Sequence, residues 1–123
     1  ISKIFCFERP RIRDTFSTFK NRNYRRTGFI MSTLKINDHN EIYYEFTEPK
    51  ENGYTFVFVN ALTGNTTAWN GIIRDKITED GNGFLAYNFR GQDKSKFDDE
   101  LNLDTNLIVS DLCLLIEKLR LKN

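Results

Sequence analysis

From residue 31 onward the hydrophobic and polar positions fall into a legible order. "TLKIN" and "EIYYEF" are short stretches rich in aromatic and β-branched residues, separated by the polar "DHN". That pattern predicts two strands joined by a turn, an antiparallel hairpin. "EPKENG", punctuated by Pro49 and Gly53, predicts a loop. "YTFVFVN" then runs apolar without alternation, which predicts a strand covered on both faces. Ala68, Trp69, Ile72, Ile73 and Ile77 recur at helical spacing, with Thr66 or Thr67 as N-cap and Gly71 as a weak point. "EDGNG" stops that helix, and "FLAYNF" predicts a second buried strand. After the polar "RGQDKSKFDDE", Asp104 caps a last helix whose apolar face is Ile108, Leu112, Leu115, Ile116 and Leu119.

The predicted order is hairpin, strand, helix, strand, loop, helix, with no internal repeat. A strand–helix–strand unit of this length implies a right-handed crossover and a parallel pair. The fold class is therefore α/β with a mixed sheet. A further strand is expected after the last helix, at about "LRLKN", so the sheet is expected to be incomplete.

Composition changes the picture mainly at the start of the chain. At 123 residues, with 39% hydrophobic and 14% aromatic content, there is material for one domain with a core. The net charge of +1 hides a split: residues 1–30 carry eight Lys/Arg and two Asp/Glu, residues 31–123 ten and fifteen. The first thirty residues are basic and aromatic with no clear period, and Met31 opens the orderly region. Residues 1–30 are expected to be a basic leader outside the fold, either upstream sequence translated in frame or an incomplete leader, and residues 31–123 the domain. The alternatives are a basic tail for nucleic acid or an anionic surface, and a transit-like segment, against which Glu8 and Asp14 count. No apolar run approaches the roughly 18 residues of a membrane span, nor the apolar centre of a signal peptide. Two distant cysteines, Cys6 and Cys113, give neither a disulfide framework nor a zinc spacing and suit a reduced, cytoplasmic setting. No metal or other cofactor is expected.

One stretch raises a chemical question. "VFVNALTGNTTAW" begins as a buried strand and passes through small and polar residues into a helix. It is either a plain strand-to-helix turn or a loop presenting backbone N–H groups to something negative. Residues 57–95 resemble the α/β-hydrolase fold. In that family the third strand ends in a short loop, commonly His-Gly-x and small residues with a Trp a few positions on, and "NALTGNTTAW" has that length and ends in Trp69. The fourth strand ends in Asp-x-Arg-Gly-x-Gly-x-Ser. Here "NFRGQDKS" keeps Arg90, Gly91 and Ser95 at matching offsets, with Asn88 for the Asp and Asp93 for the second Gly. The "SDLCLLIEKL" helix looks like the family's helix before the nucleophile strand, so the resemblance spans 34–121. Asn-x-Leu in place of His-Gly-x is similar to enol-lactonase-type hydrolases, and "ALTGN" also looks like the corresponding loop of homoserine acyltransferases. The short run from Trp69 to Arg90 favours the hydrolase.

The resemblance implies an antiparallel N-terminal hairpin followed by parallel strands with crossover helices, and a small acyl substrate. Leu62 would supply one backbone N–H of an oxyanion hole; Asn60, Ala61 and Thr63 would line the substrate side. Gly64 would permit unusual backbone angles, and Arg90, Gly91 and Ser95 would build a structural turn. For Arg90 the alternative is a carboxylate-binding fork. Asp93 in place of Gly implies a local difference in that turn. Trp69 is expected in the core, Cys113 as a buried thiol, and His39 solvated in the hairpin turn. The acidic "FDDE" supplies too few ligands for a metal. The chain contains no Gly-x-Ser-x-Gly and no His after His39, so a Ser-type triad would lie beyond residue 123. A piece comprising 31–123 is expected to expose strand edges and to be poorly stable.

Overall fold

The computed structural model describes residues 3–8, 28–98 and 103–121. The strands are β1 (Lys3–Glu8), β2 (Phe29–Lys35), β3 (Glu41–Thr47), β4 (Tyr54–Val59) and β5 (Gly83–Tyr87). The helices are α1 (Ile72–Glu79) and α2 (Thr105–Lys118), and a 3-10 turn covers Thr66–Trp69.

Four strands form a mixed sheet in the order β2-β3-β5-β4, and β1 adds to the free side of β4. β2 and β3 are the hairpin, antiparallel from Phe29 opposite Thr47 to Lys35 opposite Glu41. The turn between them is held by Asn37, whose Oδ1 accepts from the backbone N–H groups of His39 and Asn40. β4 and β5 are parallel, with Thr55 opposite Gly83 and Val59 opposite Tyr87. β5 also pairs antiparallel with β3. Both its edges are thus used, and all five of its residues are buried, as the unbroken apolar run implies.

Because successive strand residues face opposite sides, β5 divides the core in two. Leu85 and Tyr87 join Ile42, Tyr44, Phe46, Val57 and Phe89 on the face where Leu115 of α2 is buried. Phe84 and Ala86 join Phe58 on the other face, under Trp69 and Ile77 of α1. One helix therefore covers each face. The predicted stripe of α2 is the one that packs: Ile108, Leu112 and Leu119 border the larger cluster around Leu115.

Several expectations differ from what is observed. Lys3–Glu8, placed outside the fold by sequence reasoning, is an edge strand, antiparallel to β4 along its length from Lys3 opposite Val59 to Glu8 opposite Tyr54. In the whole chain the outer edge of β4 is therefore paired. β2 starts at Phe29, ahead of Met31; the rest of the predicted leader, residues 9–27, lies outside the described residues. The single helix expected after residue 66 is two elements. Gly71, at φ 71 and ψ −123, occupies a region open to glycine and separates the 3-10 turn from α1. The break rotates α1, so Ile72 is 87% and Ile73 39% exposed. Asn65, not Thr66 or Thr67, caps the turn by accepting from the Thr67 N–H at 2.9 Å. Cys113 is exposed, since the residue after Leu112 turns about 100° off the buried stripe.

Candidate functional site

Parallel pairing puts the carboxyl ends of β4 and β5 side by side, and the loops that leave them form one polar cluster. Asn60 follows β4 and Asn88 follows β5. Both are buried, at 4% and 0% exposure. Asn60 Nδ2 donates to the Tyr87 carbonyl at 2.7 Å and to Asn88 Oδ1 at 3.2 Å. Its Oδ1 accepts from the Trp69 indole N–H at 2.6 Å. Trp69 also packs on Phe58, ring centroids 4.9 Å apart. Asn60 therefore ties together the end of β5, the start of its own loop and the 3-10 turn.

Gln92 holds the same loop from the other side. Its Nε2 donates to the Ala61 carbonyl at 3.0 Å and the Leu62 carbonyl at 2.8 Å, while its Oε1 accepts from Phe89 N–H at 2.8 Å. The Ala61 carbonyl also accepts from Gly64 N–H at 2.9 Å. A trans peptide is planar, so its N–H points opposite its C=O. Pinning the Ala61 carbonyl thus aims the Leu62 N–H away from Gln92. Among the described residues no hydrogen bond engages that N–H, and the Leu62 side chain is 70% exposed. Thr63 is exposed beside it, and Ala61 is half-buried. Gly64 does not take the special backbone angles expected of it, being absent from the positive-φ glycines. It matters by close approach, since a Cβ there would sit 3.3 Å from the Ala61 carbonyl oxygen.

Beneath the loop lies a group that sequence reasoning missed. Glu45, on β3, is 4% exposed. Its Oε1 accepts from the Tyr43 hydroxyl and from Thr66 Oγ1, each at 3.1 Å. Thr66 N–H in turn donates to Asn88 Oδ1 at 2.8 Å. Burial, then the Glu45 charge and the hydrogen bond to it, push the Tyr43 hydroxyl up to about 12. Glu45 Oε2 and Asn88 Nδ2 have no hydrogen-bond partner among the described residues. A signal was present in the strand's alternation. Ile42, Tyr44 and Phe46 form one face, so Glu45 must sit with Tyr43 and Thr47 on the other, which α1 covers.

The turn after β5 is built from the residues singled out by sequence. Arg90 is buried and grips Asp111 of α2 with both arms, Nε to Oδ2 at 2.7 Å and a terminal nitrogen to Oδ1 at 2.6 Å. Its fork is thus occupied within the chain. Gly91 has φ 80. Asp93 takes φ 42, the left-handed region that glycine favours. Ser95 Oγ donates to the Asn88 carbonyl and accepts from Tyr43 N–H, both at 2.9 Å. It bridges β3 and β5 where their ladder ends.

Asn60, Ala61, Leu62, Asn88 and Gln92 are thus gathered at one end of the sheet. Arg90, Gly91 and Ser95 brace the neighbouring turn. His39 is exposed in the hairpin turn at residues 37–40. Two concavities lie elsewhere. One, lined by Lys50, Asn52, Tyr54, Asp80 and Asn82, sits at the opposite, amino-terminal ends of β4 and β5. The other lies between Phe29, Thr47 and Arg74. Neither includes residues 60–63. Among the described residues no group of three or more His, Cys, Asp or Glu could hold a metal ion. No helix among them is long and apolar enough to cross a membrane. Compared with family models, characterised proteins and solved structures, the chain matches none.

Proposed function

We propose that the chain is the N-terminal part of an α/β-hydrolase-type domain acting on a small ester, lactone or related acyl substrate, with Leu62 N–H as one donor of its oxyanion hole. The observation that carries this reading is the Ala61–Leu62 peptide, held at its carbonyl by Gln92 and Gly64 at the carboxyl end of a parallel strand. Acyl transfer develops negative charge on a carbonyl oxygen. A donor fixed before the substrate arrives needs no reorganisation and is worth about 3–4 kcal/mol. In hydrolases of this kind one such N–H comes from the loop after the third strand and the other from the residue after the nucleophile. Open α/β sheets bind ligands outside the carboxyl ends of their strands, where this loop lies.

Two features of the packing support the same reading. The helices cover opposite faces of a sheet that begins with an antiparallel hairpin and continues with a parallel pair. The Arg90–Asp111 clasp ties the turn after β5 to the following helix, as a bracing role for that turn requires. The nucleophile, acid and base would come from residues beyond 123, so the 123-residue chain alone is expected to be inactive on esters. An acyltransferase on the same scaffold would use the same donor and differ in the acceptor of the acyl group. The basic charge of residues 1–30 favours one further reading, a binding module for an anionic partner.

The test is to read the coding frame on both sides and express the extended product. A frame that continues into a Gly-x-Ser-x-Gly turn and hydrolyses short p-nitrophenyl esters supports the proposal. There, Leu62→Pro, which deletes the N–H, is expected to lower kcat by about 10²–10³. A stop directly after Asn123, or an extended product without esterase or acyl-transfer activity, sinks it. Salt-dependent nucleic-acid or anionic-vesicle binding that is lost without residues 1–30 would favour the binding module instead.

A further inference from the structure

We infer that Asn70 is a site of spontaneous covalent modification, where attack of the Gly71 amide on the Asn70 side chain converts it to an aspartyl or isoaspartyl link. Asn-Gly occurs at 52–53, 70–71 and 82–83. Asparagine is among the thermolabile residues, and each pair offers the same chemistry. The side-chain amide carbon is one bond short of a five-membered ring with the next main-chain nitrogen. The glycine that carries this nitrogen has no Cβ to block the approach. The fold treats the three pairs differently, and it leaves the one at 70–71 free to react.

The peptide between Asn70 and Gly71 joins the 3-10 turn to α1. Among the described residues neither its carbonyl nor its N–H takes part in a hydrogen bond, and the Asn70 side chain has no hydrogen-bond partner. Both residues are exposed, and a Cβ placed at Gly71 would meet nothing within 4 Å. Asn70 closes the turn through its own N–H, which reaches the Thr67 carbonyl at 3.4 Å. At ψ 166 the backbone of Asn70 must turn to bring the Gly71 nitrogen against Cγ, and no hydrogen bond of that peptide resists the rotation. At Asn52 one does, because Gly53 N–H donates to the Lys50 carbonyl at 2.9 Å. At Asn82 the side chain itself is held, its Oδ1 accepting from Tyr54 N–H at 3.0 Å. Gly83 is also buried within β5.

The conversion balances with water as its sole co-reactant. Solvent base takes the Gly71 amide proton, and the nitrogen bonds to Asn70 Cγ. The Cγ–Nδ2 bond breaks, and Nδ2 takes a proton from solvent and leaves as ammonia, closing a succinimide. Water then adds to one of the two ring carbonyl carbons attached to the Gly71 nitrogen. Cleavage at Cγ leaves an ordinary aspartate. Cleavage at the main-chain carbon leaves a chain that runs through Cβ, one methylene longer. Either way a neutral amide becomes a carboxylate, and the net charge of +1 falls by one. That carboxylate stands one residue before Gly71, the N-cap of α1, where the helix dipole favours negative charge. The fold therefore accommodates the product.

The experiment incubates the full chain in heavy-oxygen water at mildly alkaline pH, with a second sample in concentrated urea as the unfolded control. Trp69 emission reports that the first sample is folded. Proteolysis at acidic pH and fragment mass spectra then read the heavy oxygen taken up at each of the three positions. In urea all three pairs are expected to convert at similar rates. In the folded chain position 70 is expected to convert about ten-fold faster than Asn52, where one hydrogen bond must first be released, with Asn82 slowest. Asn70→Gln, whose longer side chain cannot close the five-membered ring, is expected to remove the leading conversion and leave Trp69 emission unchanged. Equal rates at positions 52 and 70 in the native sample overturn the inference. So does a folded chain that stays unconverted at position 70 while the urea control converts, and so does a lead taken by Asn82.

Discussion

Asn60 and Asn88 lie side by side at the carboxyl ends of two parallel strands, the amide nitrogen of the first donating to the amide oxygen of the second at 3.2 Å. Asn60 is the more constrained partner, because its nitrogen also meets the Tyr87 carbonyl and its oxygen meets the Trp69 indole. Asn60→Asp keeps the shape and the acceptor for Trp69, but turns an acceptor toward two acceptors. The expected cost at neutral pH is about 3 kcal/mol, the upper end for an unsatisfied buried group. Burial among acceptors raises the folded pKa of the new carboxyl above the unfolded value of about 3.9. The variant is therefore closest to the parent below about pH 4, where the protonated group can still donate, and loses ground as pH rises. Urea titrations at several pH values, followed through Trp69, check this. A pH-independent deficit would count against the assigned hydrogen bonds.

Arg90 and Asp111 make a different kind of tie, a bidentate ion pair with both side chains about 5% exposed or less. Removing one member leaves a buried charge without its partner. Asp111→Asn is expected to cost about 3–5 kcal/mol and to speed amide exchange in α2 ahead of the sheet. The double variant Arg90→Met/Asp111→Leu, which removes both charges, is expected to recover most of the loss, because desolvating the pair offsets much of its attraction. Chemical denaturation of the two variants separates a tie that fixes geometry from one that supplies net stability.

Tyr43 and Tyr87 make stability depend on alkaline pH. The hydroxyl of Tyr43 is raised from 10.0 to about 12, by burial first and then by Glu45. That of Tyr87 is raised further, by burial and then by the charge of Asp111. Both are acids whose folded pKa exceeds the unfolded one, so the folded state holds its protons longer. Stability is fully present below pH 10 and falls as pH rises toward 12, with solvent screening the contribution of Tyr43 more than that of Tyr87. Tyr43→Phe is expected to make that slope shallower, whatever it does to stability at neutral pH. Denaturation midpoints between pH 9 and 12 provide the reading.

How much of this was legible beforehand depends on whether a residue's partner is near in sequence. The runs around Val57 and Leu85 and the stripe through Leu112 and Leu115 declare their burial by local pattern alone, and they gave the strands, the parallel pair and the closing helix. The "IFCF" of β1 is as apolar as the interior strands, but its basic surroundings hid a pairing with β4 some fifty residues away. Gly71 was visible as a weak point, yet its positive φ, which splits the helix, is a backbone fact that no periodicity carries. Asp111 interrupts an apolar stripe in plain view. Only its distance to Arg90 explains why a charge belongs there. Glu45 is the same case on β3: alternation gave its face, and Tyr43 and Thr66 gave its reason. In the candidate site, Asn60 and Leu62 were marked by a loop motif, whereas Gln92, which fixes that loop, was an unremarked member of a polar stretch.

Gly83 tests the tightness of the parallel pair itself. It lies opposite Thr55 in the register between β4 and β5. A Cβ built there would stand 2.7 Å from Thr55 Oγ1, 2.8 Å from Pro49 Cδ and 2.9 Å from the Thr47 carbonyl oxygen. Its backbone angles are ordinary, so the requirement for glycine is one of space and not of conformation. Gly83→Ala is expected to cost about 1–3 kcal/mol, the range for overpacking a filled interior. Thr55→Ala added to it removes the hydroxyl but leaves the proline ring and the Thr47 backbone in place, so only part of the loss should return. Urea midpoints for the single and double variants decide the matter. A neutral Gly83→Ala would mean that β3, β4 and the loop through Pro49 stand further apart at this point than the close approach described here.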